Sequence, residues 1–213
     1  MRGDSKNTDN SQTGLHEDII GVILAGGKST RYGRNKALEQ IQGRPLIEHV
    51  IQVMSCLFKD IMLMTNTPDE YAYLGLPMVE DIIKGLGPIG GIYTALKVMD
   101  KEAGFFLACD MPCLSRDLIR YMVSIRDDFD VVVPRVGWKI EALHGIYGKR
   151  CIRPIERNID KGIYQVIRVF QDVSVRYVEE EEIRKFDPDL RSFLNVNSPE
   201  ELRRIQDLWQ NSS

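Results

Sequence analysis

From Ile19 onward the chain alternates short apolar runs with amphipathic segments. The runs Ile19–Leu24, Ile61–Met64, Phe105–Ala108, Val131–Val133, Gly145–Tyr147 and Val173–Val178 predict strands, and Val22, Ile23 and Leu24 read as a strand buried on both faces. Helices are predicted between them. Pro45–Leu57 opens on proline and sets Leu46, Val50, Val53 and Leu57 along one face. Ile89–Met99 and Leu118–Ile125 follow, the second capped by Ser115, and Ile163, Val166, Ile167 and Phe170 mark a further helix by their spacing. A last helix has Ser198 as cap, Pro199 at its first position, Glu201 completing a capping box, and Leu202, Ile205 and Trp209 as its apolar face. The acidic run Glu179–Glu182 reads as a solvated turn.

Strands alternating with helices give an α/β chain whose mainly parallel sheet is covered by helices on both faces, a three-layer Rossmann-like arrangement in one domain. Ligands of such sheets sit beyond the carboxyl ends of the strands, which brings the loops after Leu24, Met64, Val79, Ala108 and Val133 around one cleft. Residues 1–14 are almost wholly polar and carry no period. A disordered extension over residues 1–18 and a domain over 19–210 are therefore expected.

A length of 213 residues suits one sizeable domain, and a net charge of −3 from 28 basic and 31 acidic residues provides no global field for a nucleic acid. A single nucleotide is the better guest. No apolar run is long enough for a membrane span and no signal-peptide core opens the chain, so a cytoplasmic location is expected. Cys56, Cys109, Cys113 and Cys151, with His16, His49 and His144, lack zinc-ligand spacing and read as reduced thiols and scattered histidines.

The segment Gly21–Leu38, GVILAGGKSTRYGRNKAL, carries the chemistry. An apolar strand ends in Gly26 and Gly27, which lack Cβ and let backbone N–H groups approach an anion, while Lys28, Arg31 and Lys36 supply charge. The alternative is an ordinary Gly-Gly turn with solvated basic residues. A P-loop is excluded by spacing, because Val22 stands where its first glycine belongs. A second carrier of chemistry is Asp110, at the end of the strand Phe105–Ala108, where a hard oxygen suits Mg²⁺ shared with triphosphate oxygens; the other reading is a turn former before Met111-Pro112. Gly85-x-Gly87-x-x-Gly90 also satisfies the dinucleotide fingerprint of an NAD(P)-dependent oxidoreductase. Acidic residues where its strand should be apolar, and Pro88 inside the loop, argue against that use.

Leu24, Ala25, Gly26, Gly27, Arg31, Gly33 and Lys36 fall in register with the nucleotidyltransferase signature Leu-Ala-Gly/Ala-Gly-x-x-x-Arg-Met/Tyr-Gly-x-x-Lys. Glu80-Asp81 with Gly87-Pro88-Ile89-Gly90-Gly91, Cys109-Asp110-Met111-Pro112, Glu141–Tyr147 and Asn195–Glu200 extend the match, and the chain resembles the molybdenum cofactor guanylyltransferases. The departures are Asn35, where an Asp often precedes the lysine, and Ile89-Gly90 in place of Leu-Ala. The resemblance implies transfer of GMP from GTP to the phosphate of molybdopterin, with release of pyrophosphate, and molybdoenzymes or their chaperones as recipients of the product. It also implies roles for particular residues. Leu24, Ala25, Gly26 and Gly27 would present backbone to the nucleotide, Lys36 and Arg31 would offset charge on the leaving pyrophosphate, and Asp110 would hold Mg²⁺. Asp81 would meet the nucleotide from the opposite loop, and Asn195 and Asn197 would grip the pterin phosphate or ring, their other reading being a turn and helix cap; Asn66, at the end of the second strand, is a further candidate for the same pocket. A nucleotidyltransferase with another acceptor and a GTP-binding module without catalysis remain as alternatives.

Overall fold

The computed structural model describes residues 14–26 and 35–210. In chain order the regular elements are β1 (Ile20–Leu24), β2 (Gln40–Ile41), β3 (Arg44–Pro45), α1 (Leu46–Ser55), β4 (Ile61–Met64), β5 (Met78–Val79), α2 (Pro88–Val98) and β6 (Ala103–Ala108). They continue with α3 (Arg116–Ser124), β7 (Val131–Val136), β8 (Lys139–Ile140), β9 (His144–Gly148), α4 (Ile152–Asp160), β10 (Val175–Glu179), α5 (Glu180–Ile183) and α6 (Pro199–Gln210). The main sheet runs β10-β7-β9-β6-β1-β4-β5, with β8 beside β7, and β2 and β3 form a separate hairpin. β6, β1, β4 and β5 are adjacent and parallel, and β9 is antiparallel to both of its neighbours, β6 and β7.

The strand alternation sorts side chains into two cores, because successive residues point to opposite faces. Ile23, Leu63, Phe105, Leu107, Val132 and Ile146 face α1 and α3. Val22, Met64, Phe106, Val133 and Tyr147 face α2 and α4. Gly145 lets β9 close on its neighbour: a Cβ there would lie 2.6 Å from Val133 Cγ1 and 2.7 Å from the Val132 carbonyl oxygen.

The predicted strands are present within one or two residues at their ends, except that β7 runs three residues beyond the predicted Val133, and Ser115 caps α3 through a bond from the Leu118 N–H (3.2 Å). Three expectations need correction. Pro45 is the residue before α1, not its first. The segment around Ile163–Phe170 is a 3₁₀ turn over Val166–Gln171, in which Val169 and Phe170 are buried and Ile167 is exposed. The helix in this part of the chain is α4, hidden in the sequence by Pro154; proline in a first turn removes no intrahelical bond. The acidic run is no free turn either, since Glu179 caps α5 in a reciprocal box with Glu182 and also receives a bidentate Arg135. Glu182 accepts from Arg176 (2.6 Å) and Tyr121.

His144 sits fully buried opposite Leu107, between the rings of Phe105 and Phe193, with both ring nitrogens lacking a protein partner. Burial drives its pKa from 6.5 down to about 3, so the folded chain keeps it neutral. The unfolded chain takes up a proton below pH 6.5 that the folded chain refuses, and stability falls as pH drops from 6.5 toward 3. Urea unfolding should show this loss as about 1.4 kcal/mol per pH unit over the acid side of that window. His144→Phe should remove that component; an unchanged pH slope in the variant would show that His144 is not held neutral.

Candidate functional site

The site begins with a staircase of backbone bonds at the carboxyl ends of four parallel strands. The first residue beyond each strand donates to the last carbonyl of the next: Cys109 N–H to Leu24 O (3.2 Å), Ala25 N–H to Met64 O (2.9 Å) and Thr65 N–H to Val79 O (3.0 Å). Asp110, Ala25-Gly26, Asn66 and Asp81 therefore emerge in one row along one edge of the sheet. Three inter-strand spacings separate its ends, or roughly 14 Å.

At one end of the row Lys36 Nζ is bonded to Asp110 Oδ2 and donates to Asn197 Oδ1 at 2.9 Å. The other carboxylate oxygen of Asp110, Oδ1, is buried without a hydrogen-bond partner, in a residue only 8% exposed. A strap over residues 194–197 crosses the end of β6, fixed by the Val196 N–H donating to the Asp110 carbonyl (3.0 Å). Val196 is itself buried with Ile41, Leu46 and Ile205, so the β2–β3 hairpin and α6 hold the strap down. Ser198 caps α6 by accepting from the Glu201 N–H (3.1 Å), while the Glu201 carboxylate returns to the Asn197 N–H (2.6 Å) instead of the Ser198 N–H expected of a capping box. Asn195 Oδ1 is buried and unpartnered.

At the other end Asn66 and Asp81 are clipped together. Asn66 Nδ2 donates to Asp81 Oδ2 (2.7 Å) and the Asp81 N–H donates to Asn66 Oδ1 (3.0 Å). The following N–H, of Ile82, is taken by the buried Thr94 hydroxyl (2.9 Å). Gly91 makes room for this corner: a Cβ there would lie 3.0 Å from Leu24 Cδ2 and 3.7 Å from Asp81 Oδ1.

Of the residues singled out from the sequence, Leu24, Ala25, Gly26, Lys36, Asn66, Asp81, Asp110, Asn195 and Asn197 are all placed along this edge. Gly27 and Arg31 lie outside the described residues. Two contributors were not anticipated. Asn35 caps the turn that carries Lys36, accepting from the Ala37 N–H (3.1 Å), and its amide donates to Glu70 (2.6 Å) and Tyr71 (2.8 Å). An Asp could not make those donations, so the departure from the usual residue has a local reason. Gly91 was quoted from the sequence only as the last glycine of the family-like segment Gly87–Gly91, with no role assigned to it.

Burial, reinforced by the Asp110 charge, pushes the Cys109 thiol up to about 12, so it stays protonated and is no nucleophile. All four cysteines are free; Cys56 is exposed and Cys113 half-buried, so only Cys109 and Cys151 are core thiols. Among the described residues no three His, Cys, Asp or Glu side chains converge on a metal position, and no helix is long and apolar enough to cross a membrane. A cation at Asp110 would thus take most of its ligands from elsewhere. The glycine fingerprint falls after the two-residue edge strand β5, with Gly90 inside α2 and Pro88 at its first turn, which is not the central crevice a dinucleotide requires.

The profile of the MobA-like NTP transferase domain matches residues 21–177. The chain is 35% identical over 190 residues to a molybdenum cofactor guanylyltransferase of Desulfosudis oleivorans, covering 88% of this chain and 94% of that protein. It is 36% identical over 192 residues to a probable molybdenum cofactor guanylyltransferase of Pelotomaculum thermopropionicum, covering 90% and 94%. The crystal structure of molybdopterin-guanine dinucleotide biosynthesis protein A from Archaeoglobus fulgidus superposes with a TM-score of 0.79 at 26% identity, covering 91% of this chain and 100% of that one.

Replacing Lys36 by methionine would leave both oxygens of the buried Asp110 carboxylate without a partner. We expect Lys36→Met to lower stability by about 1–3 kcal/mol in chemical unfolding. Most of that loss should be absent when Lys36→Met is introduced into an Asp110→Asn background. Equal losses in both backgrounds would mean that the two side chains are not energetically coupled.

Proposed function

Because the chain belongs to the MobA-like NTP transferase family, with relatives named guanylyltransferases along nearly their whole length, we propose that it transfers GMP from GTP to the phosphate of molybdopterin. The products are molybdopterin guanine dinucleotide and pyrophosphate. The observation that carries this reading is that Lys36 touches both Asp110 and Asn197, so three separate segments resembling guanylyltransferases meet at one point.

In the proposed reaction an oxygen of the acceptor phosphate attacks the α-phosphorus of GTP in line. A new P–O bond forms as the bond to the β-phosphate oxygen breaks, and the electron pair leaves with pyrophosphate. Positioning and charge compensation dominate such a displacement. The staircase end at Ala25 and Gly26, continued by Gly27, presents backbone to the nucleotide. Lys36, already held at the phosphate end of the row, offsets charge on the departing pyrophosphate, with Arg31 as a second cation. Asp81 reads the base: Asn66 occupies its Oδ2, leaving Oδ1 to accept from guanine N1–H and N2–H₂. Asn195 and Asn197 hold the acceptor phosphate beside the N-terminus of α6.

The unpartnered Asp110 Oδ1 fits a hard cation, and the lack of other converging acids fits one that keeps water and triphosphate oxygens as its remaining ligands, as Mg²⁺ does. When bound, Mg²⁺ neutralises triphosphate charge. GTP and its cofactor acceptor are consistent with work in the cytoplasm, with molybdoenzymes or their chaperones as takers of the product.

Incubation with GTP, Mg²⁺ and molybdopterin should release pyrophosphate and yield the guanine dinucleotide, with CTP, ATP and UTP poor substitutes. Asp110→Asn should abolish this turnover while keeping the circular-dichroism spectrum. A fully active variant at limiting Mg²⁺ would reduce Asp110 to a turn residue. On the acceptor side, Asn195→Ala and Asn197→Ala should each weaken use of molybdopterin by roughly ten- to a hundred-fold, the loss of a hydrogen bond to a charged phosphate, with GTP affinity near wild type. Separate titrations of the two substrates check this. Parallel loss of both affinities with a lowered melting temperature would mark the pair as structural.

A further inference from the structure

The hairpin formed by β7 and β8 carries Trp138, fully exposed at its tip. A single exposed apolar residue needs no explanation by itself. Here, though, two features coincide. The first is position. Arg135 pairs with Glu179 of β10 on one side and Ile140 of β8 on the other, so β8 lies on the β9 side of β7, toward β6. Phe105, Ile146 and Val132 stand in one row across β6, β9 and β7. Both β6 and β7 are antiparallel to β9, so they run parallel to each other and their carboxyl ends share one edge of the sheet. The Trp138 tip therefore rises at the sheet edge that carries the site, on the side of β7 facing β6.

The second feature is rigidity. The Gly137 N–H, at a positive φ of 56°, is held by Glu180 (3.0 Å). Arg135, at the base of the hairpin, makes its two bonds to Glu179 (2.9 and 2.5 Å) with its guanidinium carbon 4.7 Å from the centre of the Tyr177 ring. Lys139 is paired with the buried Glu141 (2.8 Å). The backbone of the turn is thus braced from α5 and β10 while the indole is left uncovered.

We propose that Trp138 is the stacking face for the bicyclic pterin of the acceptor, with the β7–β8 hairpin as the far wall of the acceptor subsite. The inference rests on the guanylyl-transfer reading. Molybdopterin bears its phosphate at one end and its flat pterin at the other, so a phosphate held at Asn197 and Lys36 directs the ring outward. A large rigid indole on a braced turn offers contact area at little cost in conformational entropy. Trp138 acts in binding and takes no part in the displacement itself.

The test measures the acceptor KM, the GTP Kd and the melting temperature for wild type, Trp138→Ala and Trp138→Phe. We expect Trp138→Ala to raise the molybdopterin KM about 5- to 100-fold, with GTP Kd and melting temperature unchanged, and Trp138→Phe to restore most of the loss. Molybdopterin should also quench tryptophan emission in wild type, and this quenching should disappear in Trp138→Phe, where Trp209 is the remaining indole. An unchanged acceptor KM in Trp138→Ala, or a GTP Kd that rises in parallel, overturns the proposal while leaving guanylyl transfer standing. So does an unchanged KM accompanied by lost binding to an apo-molybdoenzyme, which would assign the indole to a protein partner. If wild type itself transfers no GMP to molybdopterin, the functional reading fails, and this inference with it.

Discussion

Everything at the site hangs on three backbone hydrogen bonds, in which the residue leaving one parallel strand donates to the last carbonyl of its neighbour. They run from Cys109 to Leu24, from Ala25 to Met64 and from Thr65 to Val79. Such bonds fix where each loop departs, and the strands themselves cannot slip, because a shift of one residue would exchange the α1–α3 core face for the α2–α4 face. Side chains at loop starts thereby acquire the rigidity of the sheet. Asn66, Asp81 and Asp110 are consequently set by buried backbone, and the polar row is preorganised before any ligand arrives.

The electrostatics of the row are deliberately incomplete. A buried carboxylate normally has its oxygens satisfied, yet Asp110 has one bound to Lys36 and the other left over. Lys36 is divided in turn between Asp110 and Asn197, so its charge neutralises a buried acid in the free protein and is already in place for an arriving phosphate. Both unsatisfied oxygens near this end, Asp110 Oδ1 and Asn195 Oδ1, lie where the proposed metal and acceptor would complete them. Asn66 and Asp81 satisfy each other more fully, which leaves that end of the row suited to recognition.

Around this fixed row the remaining parts differ in how they are held. The strap bearing Asn195 and Asn197 depends on long-range packing, through Val196 against Ile41, Leu46 and Ile205. The β7–β8 hairpin depends instead on charged pairs from the acidic run that follows β10. The proposed acceptor side is thus assembled from segments that follow α3 in the chain, while the proposed nucleotide side is built from the first four parallel strands of the main sheet.

Six of the strands, the two-faced sheet and the capped helices α3 and α6 were legible in the sequence, because each depends on local spacing in apolar runs and caps, whereas Asp81, Asn195 and Asn197 were reached only through the resemblance to guanylyltransferases. Asp110 could be singled out because an acid ending the run Phe105–Ala108 breaks an apolar pattern. What local spacing could not carry was partnership. That Asn35 needs amide donors for Glu70 and Tyr71, that Glu179 and Glu180 brace a hairpin, that Gly91 clears space for Leu24 and Asp81, and that Lys36 reaches Asp110 and, across 161 positions of chain, Asn197 all depend on which segments the sheet order brings together. Helix α4 escaped because Pro154 reads as a breaker until its place in the first turn is known. Periodicity determined what each segment would become; only closure of the sheet, through contacts between residues far apart in sequence, decided which side chains would meet.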